Sequence, residues 1–153
     1  MHLSGRHAAK AAISSVWQVL MDVSSLSRVI PGISNLELAG QNSYKALFEV
    51  KLGPYNTTFN GNLNLDKIVE EESFDLLAEL HSKIGSAHAT LKIVLSRLSE
   101  NDTEIHFNGY ARLSGLMATM GNRLVGSTSN TLTKQFFSNL ERELARNSGL
   151  DRA

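Results

Sequence analysis

Histidine is the side chain best suited to acid–base or metal chemistry near neutral pH, and two of the five in this chain are predicted to face each other. His81 and His88 flank a predicted hairpin turn near Gly85, so their rings could share a metal ion. Both fall on the strand face that also carries Asp75 and Lys92, which we expect to face solvent. A stable zinc site generally needs at least a third protein ligand, and none is evident. We therefore expect two surface histidines and no bound metal.

Catalysis in a pocket would need a nucleophile with a base, or paired carboxylates, directed inward. The acidic residues nearly all take the outward positions of predicted strands or lie in turns. The inward polar groups are Tyr44 and the hydroxyls within residues 127–131. These hydroxyls could orient a carbonyl or hydroxyl of a bound ligand, or they could bond to backbone carbonyls of their own helix. Both interpretations remain open, and no catalytic residue is predicted.

Composition excludes several classes of function. The 153 residues carry a formal net charge of zero and no cysteine. Nucleic-acid binding needs a basic surface, and thiolate chemistry or Cys-ligated metal sites need cysteine. The first residues lack the apolar run of a secretion signal, and no apolar run approaches the ~20 residues that span a bilayer. We expect a cytoplasmic protein with no cofactor, no nucleic-acid partner and no transmembrane segment. Peripheral contact with a membrane is left open.

Helical periodicity appears first after a short N-terminal strand. Residues 13–22 read as a helix, with Ser15 and Gln18 in the spacing of a capping box. A second short helix is predicted over residues 25–29. It must end there because Pro31 disfavours a helical conformation in the residue before it.

Alternation of apolar and polar residues replaces the helical pattern from Leu36 onward. Period-two alternation separated by turn residues is typical of an antiparallel meander with one face in water. The inward positions of the predicted strands include several small residues: Ala46, Gly61, Ala78, Ala87, Ala89, Gly109 and Ala111.

Beyond Gly115 the period returns to that of a helix. One continuous helix of about thirty residues, ~45 Å long, is predicted to cross the whole sheet. Its apolar stripe is Leu116, Met117, Met120, Leu124, Leu132, Phe136, Leu140 and Leu144. Four basic residues of this helix, Arg123, Lys134, Arg142 and Arg146, could contact an acidic partner or anionic lipid head groups. Glu141 and Glu143 interleave with the last two, so a solvated face is predicted. The fold is therefore a single α+β domain over residues 1–146, in which a curved antiparallel sheet grips a long C-terminal helix. A flexible tail is predicted over residues 147–153.

Small inward residues indicate a cavity between sheet and helix. The same residues could instead allow helix and sheet to approach closely. We predict that the cavity is lined by Trp17, Ile30, Tyr44, Phe48, Leu63, Leu76, Leu80, Phe107, Met117, Met120, Leu124 and Thr128. Met117 and Met120 lie between Gly115 and Gly121, which favours a loosened gate over residues 117–126. Alternatively, those glycines only let the helix approach a neighbouring element.

Several short segments together resemble the CoxG family, a family of small carbon monoxide dehydrogenase subunits within the START-like, helix-grip (SRPBCC) superfamily. The resemblance covers about residues 3–144. It is carried by Val16-Trp17 with Leu20 and Asp22, Ile30-Pro31-Gly32, Tyr44-Lys45-Ala46, Val50-Lys51-Leu52-Gly53-Pro54, Phe59-Asn60-Gly61, Gly121-Asn122-Arg123-Leu124 and Phe136-Phe137. Ile-Pro-Gly followed by Val-Lys-x-Gly-Pro is the most specific combination.

The resemblance implies an accessory protein for a molybdenum hydroxylase of carbon monoxide dehydrogenase type. It also implies a quinone-like or lipid-like ligand in the cavity. Longer members of that family carry an apolar C-terminal anchor that this sequence lacks, so we do not expect autonomous membrane attachment. Two alternatives remain open. One is a polyketide-cyclase-like enzyme that uses pocket hydroxyls, and the other is a protein–protein adaptor whose cavity is incidental.

Overall fold

Seven strands and four helices make up the computed structural model, which describes residues 1–148. The order along the chain is β1 (His2–Ala9), α1 (Ile13–Leu20), α2 (Val23–Val29), β2 (Ile33–Gly40), β3 (Ser43–Leu52), β4 (Tyr55–Val69), β5 (Ser73–Ser82), β6 (Gly85–Ser99), β7 (Asp102–Ser114), α3 (Leu116–Met120) and α4 (Asn122–Asn147). The predicted α+β class is confirmed, as is the position of two short helices after the first strand.

All seven strands form one open antiparallel sheet in the order β1-β7-β6-β5-β4-β3-β2. Strands β2 to β7 are a meander, as the alternation predicted, because each strand pairs with the next through a short turn. Strand β1 pairs with β7, so the first and last strands of the chain are neighbours at one edge of the sheet. The two edge strands are β1 and β2.

The predicted capping box at Ser15 is wrong. Helix α1 begins after Ala12, whose carbonyl accepts from the backbone N–H groups of Ser15 and Val16, and no side chain caps it. Ser15 therefore already lies inside the first turn, where its hydroxyl cannot act as an N-cap. The side-chain cap in this region belongs to α2. There, the Asp22 carboxylate accepts from the Ser25 backbone N–H at 2.9 Å.

The predicted continuous C-terminal helix is also wrong, because the helix is broken at Gly121. This residue has φ +87° and ψ 155°, outside the helical region and open mainly to glycine. The break separates the five-residue α3 from the 26-residue α4. Leu116 consequently leaves the apolar stripe and is 41% exposed. Within residues 1–148, no helix combines the length and apolar character needed to cross a membrane.

Helix α4 ends at Asn147, the first residue of the predicted tail, and residues 149–153 of that tail lie outside the described part of the chain. That residues 1–146 form a single domain stays a prediction.

Two separate apolar clusters make up the core of the described residues. The first lies at the end of the sheet that carries α1 and α2, and it contains Val16, Trp17, Val29, Phe74, Ile93, Leu140 and Leu144. The second lies at the opposite end, beneath α3, and it contains Val50, Leu52, Phe59, Ala87 and Met117. The division leaves the middle of the sheet outside both clusters.

Candidate ligand site

The small inward residues gather in the middle of the sheet. Two adjacent rows of cross-strand neighbours run from β3 to β7. They are Tyr44, Leu63, Ala78, Ala89 and Ala111 in one, and Ala46, Gly61, Leu80, Ala87 and Leu113 in the other. The predicted inward positions are thus neighbours across five strands, and Gly109 lies in the next row. We call the three alanines Ala78, Ala89 and Ala111 the alanine band.

The alanine band lies between the two apolar clusters, and none of its members belongs to either. Leu63, in the same row, is a large inward-facing residue that stays half-buried and also lies outside both clusters. A leucine on the inner face of a packed sheet would normally touch several core residues. Half-burial at this position indicates space between the middle of the sheet and α4.

The part of α4 that separates the two clusters carries the small polar side chains. Leu132 packs on the second cluster and Phe136 on the first, while half-buried Thr128 lies one turn before Leu132. The Thr131 hydroxyl donates to the Ser127 carbonyl at 3.2 Å, so this hydroxyl bonds to the backbone of its own helix and not to a ligand. The Thr128 hydroxyl makes no hydrogen bond within residues 1–148. Thr128 is therefore free to bond to a ligand.

Tyr44 supplies the second unpaired hydroxyl. Its side chain lies on the inward face of β3 and is only 6% exposed, yet its hydroxyl makes no hydrogen bond within the described residues and keeps some accessible surface. Burial raises the pKa of the Tyr44 phenol, and the nearby Asp22 carboxylate raises it further. At neutral pH the group is therefore an uncharged phenol that can donate a hydrogen bond.

The predicted lining residues fall into three groups. Trp17 is part of the first cluster, with its ring 5.9 Å from that of Phe74, and Leu76 and Phe107 pack against that cluster. Phe48, Leu80, Met117 and Met120 belong to the second cluster or pack against it. Tyr44, Leu63, Leu124 and Thr128 lie in neither cluster, and half-buried Ile30 caps the end of α2. That all twelve line one cavity stays a prediction.

Two of the hollows on the surface of the described residues bear on the location of a ligand site. The larger, about 680 Å³, is an open depression on the outer face of β5, β6 and β7, among outward-facing residues such as Lys92, Tyr110 and Arg112. From that face it also reaches Ala78, Ala89 and Gly109. The smaller, about 270 Å³, lies between β1 and α4 and reaches the inward-facing side chains of Leu3 and Phe107. The smaller hollow is the one that reaches large inward-facing side chains, so size alone does not identify the ligand site.

The CoxG family of carbon monoxide dehydrogenase subunits matches residues 5–145 of the chain. The chain belongs to the CoxG family. No curated protein matches it.

Several solved structures share the fold of this CoxG-family chain. A conserved protein from Geobacillus kaustophilus is 26% identical over 95% of this chain and 96% of its own, with a TM-score of 0.91. A START superfamily protein from Mycobacterium smegmatis has a TM-score of 0.65 at 12% identity, covering 92% of this chain and 97% of that one. The Zhui aromatase/cyclase from Streptomyces sp. R1128 has a TM-score of 0.69 at 14% identity, covering 97% and 95%. The predicted START-like, helix-grip fold is confirmed.

The two histidines singled out from the sequence lie on the outer face of this CoxG-family chain, but not directly opposite each other as predicted, because His81 pairs with Ser86 and His88 with Glu79. The rings of His81 and His88 are 5.7 Å apart, both residues are exposed, and His81 Nδ1 is 3.1 Å from the Ser86 hydroxyl. Across residues 1–148 no three His, Cys, Asp or Glu side chains come together as metal ligands.

The solvated face predicted at the end of α4 is wrong for Glu143. Glu143 is 3% exposed and accepts from Arg28 Nε at 2.9 Å and from Arg28 Nη2 at 2.7 Å, while Arg146 lies 3.3 Å away. The hydrogen bonds from Arg28 hold the pKa of the Glu143 carboxyl below its usual range, against the effect of burial, and Ser25 contributes in the same direction. This pair attaches α2 to α4, and no local pattern could have revealed it, since 115 residues separate Arg28 from Glu143.

The sequence reasoning also missed how β1 meets α4. His7 Nε2 lies 2.7 Å from Glu141 Oε2, and the His7 ring stacks on Phe137 with centroids 4.4 Å apart. The alternating burial of β1, in which Leu3, Gly5 and His7 face inward, is the signal that could have identified this contact.

Proposed function

We propose that this CoxG-family protein is a non-catalytic carrier that binds a hydrophobic small molecule, of quinone or lipid type, between the middle of its sheet and α4. The observation that carries the proposal is the division of the core into two clusters with the alanine band between them. Family membership and the START-like fold support the same conclusion.

Space of this kind suits an apolar ligand because its walls are apolar. Burying apolar ligand surface against such walls contributes about 25 cal/mol per Å² of area removed from water. A site of this type needs only a few polar groups to fix orientation. The unpaired hydroxyls of Tyr44 and Thr128 are suited to that task, since each can donate to the carbonyl of a quinone or an ester.

The inward-facing acid–base groups already have bonding partners in the fold, which favours a carrier over a cyclase-like enzyme. The buried carboxylate, Glu143, is bonded to Arg28, and the inward-facing His7 is bonded to Glu141. Both are thereby engaged in structural contacts away from the alanine band. Tyr44 remains, and its raised pKa makes it a poor base at neutral pH. Its role in the proposal is to donate a hydrogen bond.

We further propose that the ligand serves a molybdenum hydroxylase of carbon monoxide dehydrogenase type, for which this protein is an accessory. Family membership is the basis for this partner. The protein loaded with ligand should bind such a purified hydroxylase, as measured by biolayer interferometry. Absence of binding at protein concentrations of about 100 μM would contradict the accessory role and leave ligand carriage to stand on its own test.

Ligand carriage is tested by extraction and by titration. Mass spectrometry of an organic-solvent extract of the purified protein should recover an isoprenoid or acyl compound near one equivalent. Trp17 is the single tryptophan of the chain and belongs to the first cluster, so its fluorescence can report a ligand that binds beside that cluster. A benzoquinone with a ten-carbon chain should quench its fluorescence saturably. An empty extract together with no quenching would refute the proposal.

A further inference from the structure

The seam between β1 and α4 is closed at one end. His7 contacts Glu141 and stacks on Phe137, and the backbone N–H of Lys10 donates to Glu141 Oε1 at 3.0 Å. An ion pair or hydrogen bond, a ring stack and a backbone bond thus hold the last residues of β1 on the C-terminal half of the helix.

The other end of the same seam is open. Here the first four residues of the chain face Asn122, Gly126, Ser129, Asn130 and Thr133 across the hollow of about 270 Å³. These positions follow the three- and four-residue spacing of one helical face. A Cβ atom added at Gly126 would meet nothing within 4 Å, so the helix surface here is not in contact with the sheet.

The floor of the open half belongs to the interior wall. Leu3 and Phe107 line the hollow, and both are on the inward-facing side of their strands. Phe107 also packs against the first apolar cluster, and its ring lies against Gly5, where a Cβ atom would clash with it. An apolar chain that enters the hollow therefore meets apolar side chains that continue into the core.

The rim has a different chemistry from the floor. It offers the amides of Asn122 and Asn130 and the hydroxyls of Ser4 and Ser129, and within residues 1–148 no Asp, Glu, Lys or Arg side chain contributes to the hollow. The ammonium of Met1 at the rim donates to the Ala111 carbonyl at 2.8 Å. A cationic head group would lose hydration here and meet the like charge of the Met1 ammonium. An anionic head group would find only this one cation, which is already bonded to the Ala111 carbonyl, whereas a neutral head gains hydrogen bonds from the amides and hydroxyls.

We infer that the open half of the β1–α4 seam is the entrance of the ligand space and the site of the ligand's head. The head is uncharged and polar, as in a quinone, an alcohol or an acylglycerol, and the apolar chain lies inside. This inference rests on the proposed function and adds to it the route of entry and the class of head group.

Blocking the entrance tests the route. Gly126→Leu places a side chain in the hollow, and it should fold, because replacing a helical glycine favours the helix by up to ~1 kcal/mol. The next residue, Ser127, is exposed, so Ser127→Leu is the matched control. In stopped-flow quenching of Trp17 by the ten-carbon benzoquinone, Gly126→Leu should slow association at least tenfold, and Ser127→Leu should leave it unchanged.

A reversible block separates an obstructed entrance from a damaged fold. Because the chain has no cysteine, Ser129→Cys creates a unique thiol in the hollow. A bulky methanethiosulfonate label should slow association, and a reductant that removes the label should restore it. No quenching of the unmodified protein would count against the proposed function itself. Normal quenching with unchanged association rates in Gly126→Leu and in the labelled protein would overturn the assignment of this hollow as the entrance.

Head-group preference is tested by displacing the benzoquinone with three ten-carbon ligands. Decanol should compete at least tenfold more strongly than decanoate or decylammonium. Equal or stronger competition by either charged ligand would overturn the assignment of an uncharged head.

Discussion

Replacing Ala89 with leucine should stabilise the protein if space lies over the alanine band. Ala89 belongs to neither apolar cluster, and its neighbours in the row are Ala78 and Ala111. Leucine adds about three methylene equivalents, each contributing ~0.8 kcal/mol when buried. Ordering the side chain costs roughly 0.5–1 kcal/mol. The expected net gain in the free energy of unfolding is therefore about 1.5 kcal/mol.

The matched control is Ala87→Leu, one inward position away on the same strand. Ala87 is 8% exposed, belongs to the second cluster, and has Leu80 and Leu113 as cross-strand neighbours. Added volume in such a packed position forces neighbours apart and costs about 1–3 kcal/mol. The two substitutions have the same chemistry and the same strand, so the opposite signs expected for them isolate the effect of local packing.

Urea denaturation at pH 7 measures both variants. With a slope of about 2 kcal/mol per molar urea, Ala89→Leu should raise the unfolding midpoint by roughly 0.7 M, and Ala87→Leu should lower it by roughly 0.5–1.5 M. Ala89→Leu should also weaken quenching of Trp17 by the ten-carbon benzoquinone at least tenfold, because the new side chain occupies the ligand's space. Equal destabilisation by the two variants would refute the reasoning, since it would mean that the middle of the sheet is packed like its ends.

Three further predictions concern single groups. Tyr44→Phe should weaken benzoquinone binding about fivefold through the loss of one hydrogen bond of ~1 kcal/mol. In an absorbance titration, the step that Tyr44→Phe removes should lie above the ordinary tyrosine pKa of about 10, because the raised pKa of Tyr44 favours the neutral phenol in the folded state. Loss of a step at or below that value would contradict this. The lowered pKa of Glu143 means that its contribution to stability is complete above the unfolded glutamate value of about 4.3 and is lost as the pH falls through the lower folded value. The difference in unfolding free energy between the wild type and Glu143→Gln should therefore shrink between pH 7 and pH 3, and a constant difference would speak against the Arg28 pair. Finally, amide exchange without ligand should be faster over residues 117–126 than over residues 136–144. The helix is interrupted at Gly121 within the first of these segments, whereas the second packs in the first apolar cluster. Equal protection of the two segments would exclude a gate over residues 117–126.

The sheet, the order of elements and the small inward positions follow from the sequence alone. Period two is imposed by the strand itself, so the alternation around Ala87, Ala89 and Leu91 assigns each side chain to a face before any partner strand is known. The same holds for the helical spacing of Leu132, Phe136 and Leu140. These patterns are local, and local geometry is sufficient to produce them.

Tertiary structure decided the features that depend on which distant residues meet. An interior glycine costs a helix only ~1 kcal/mol, so the sequence around Gly121 is compatible with either a continuous or a broken helix, and packing of α3 on the β5–β6 turn decides. Glu143 resembles any surface glutamate until α2 brings Arg28 beside it. The strand register likewise aligned Ala78, Ala89 and Ala111 into one band. Each of these outcomes depends on contacts between residues far apart in the chain, and such contacts leave no mark on local periodicity.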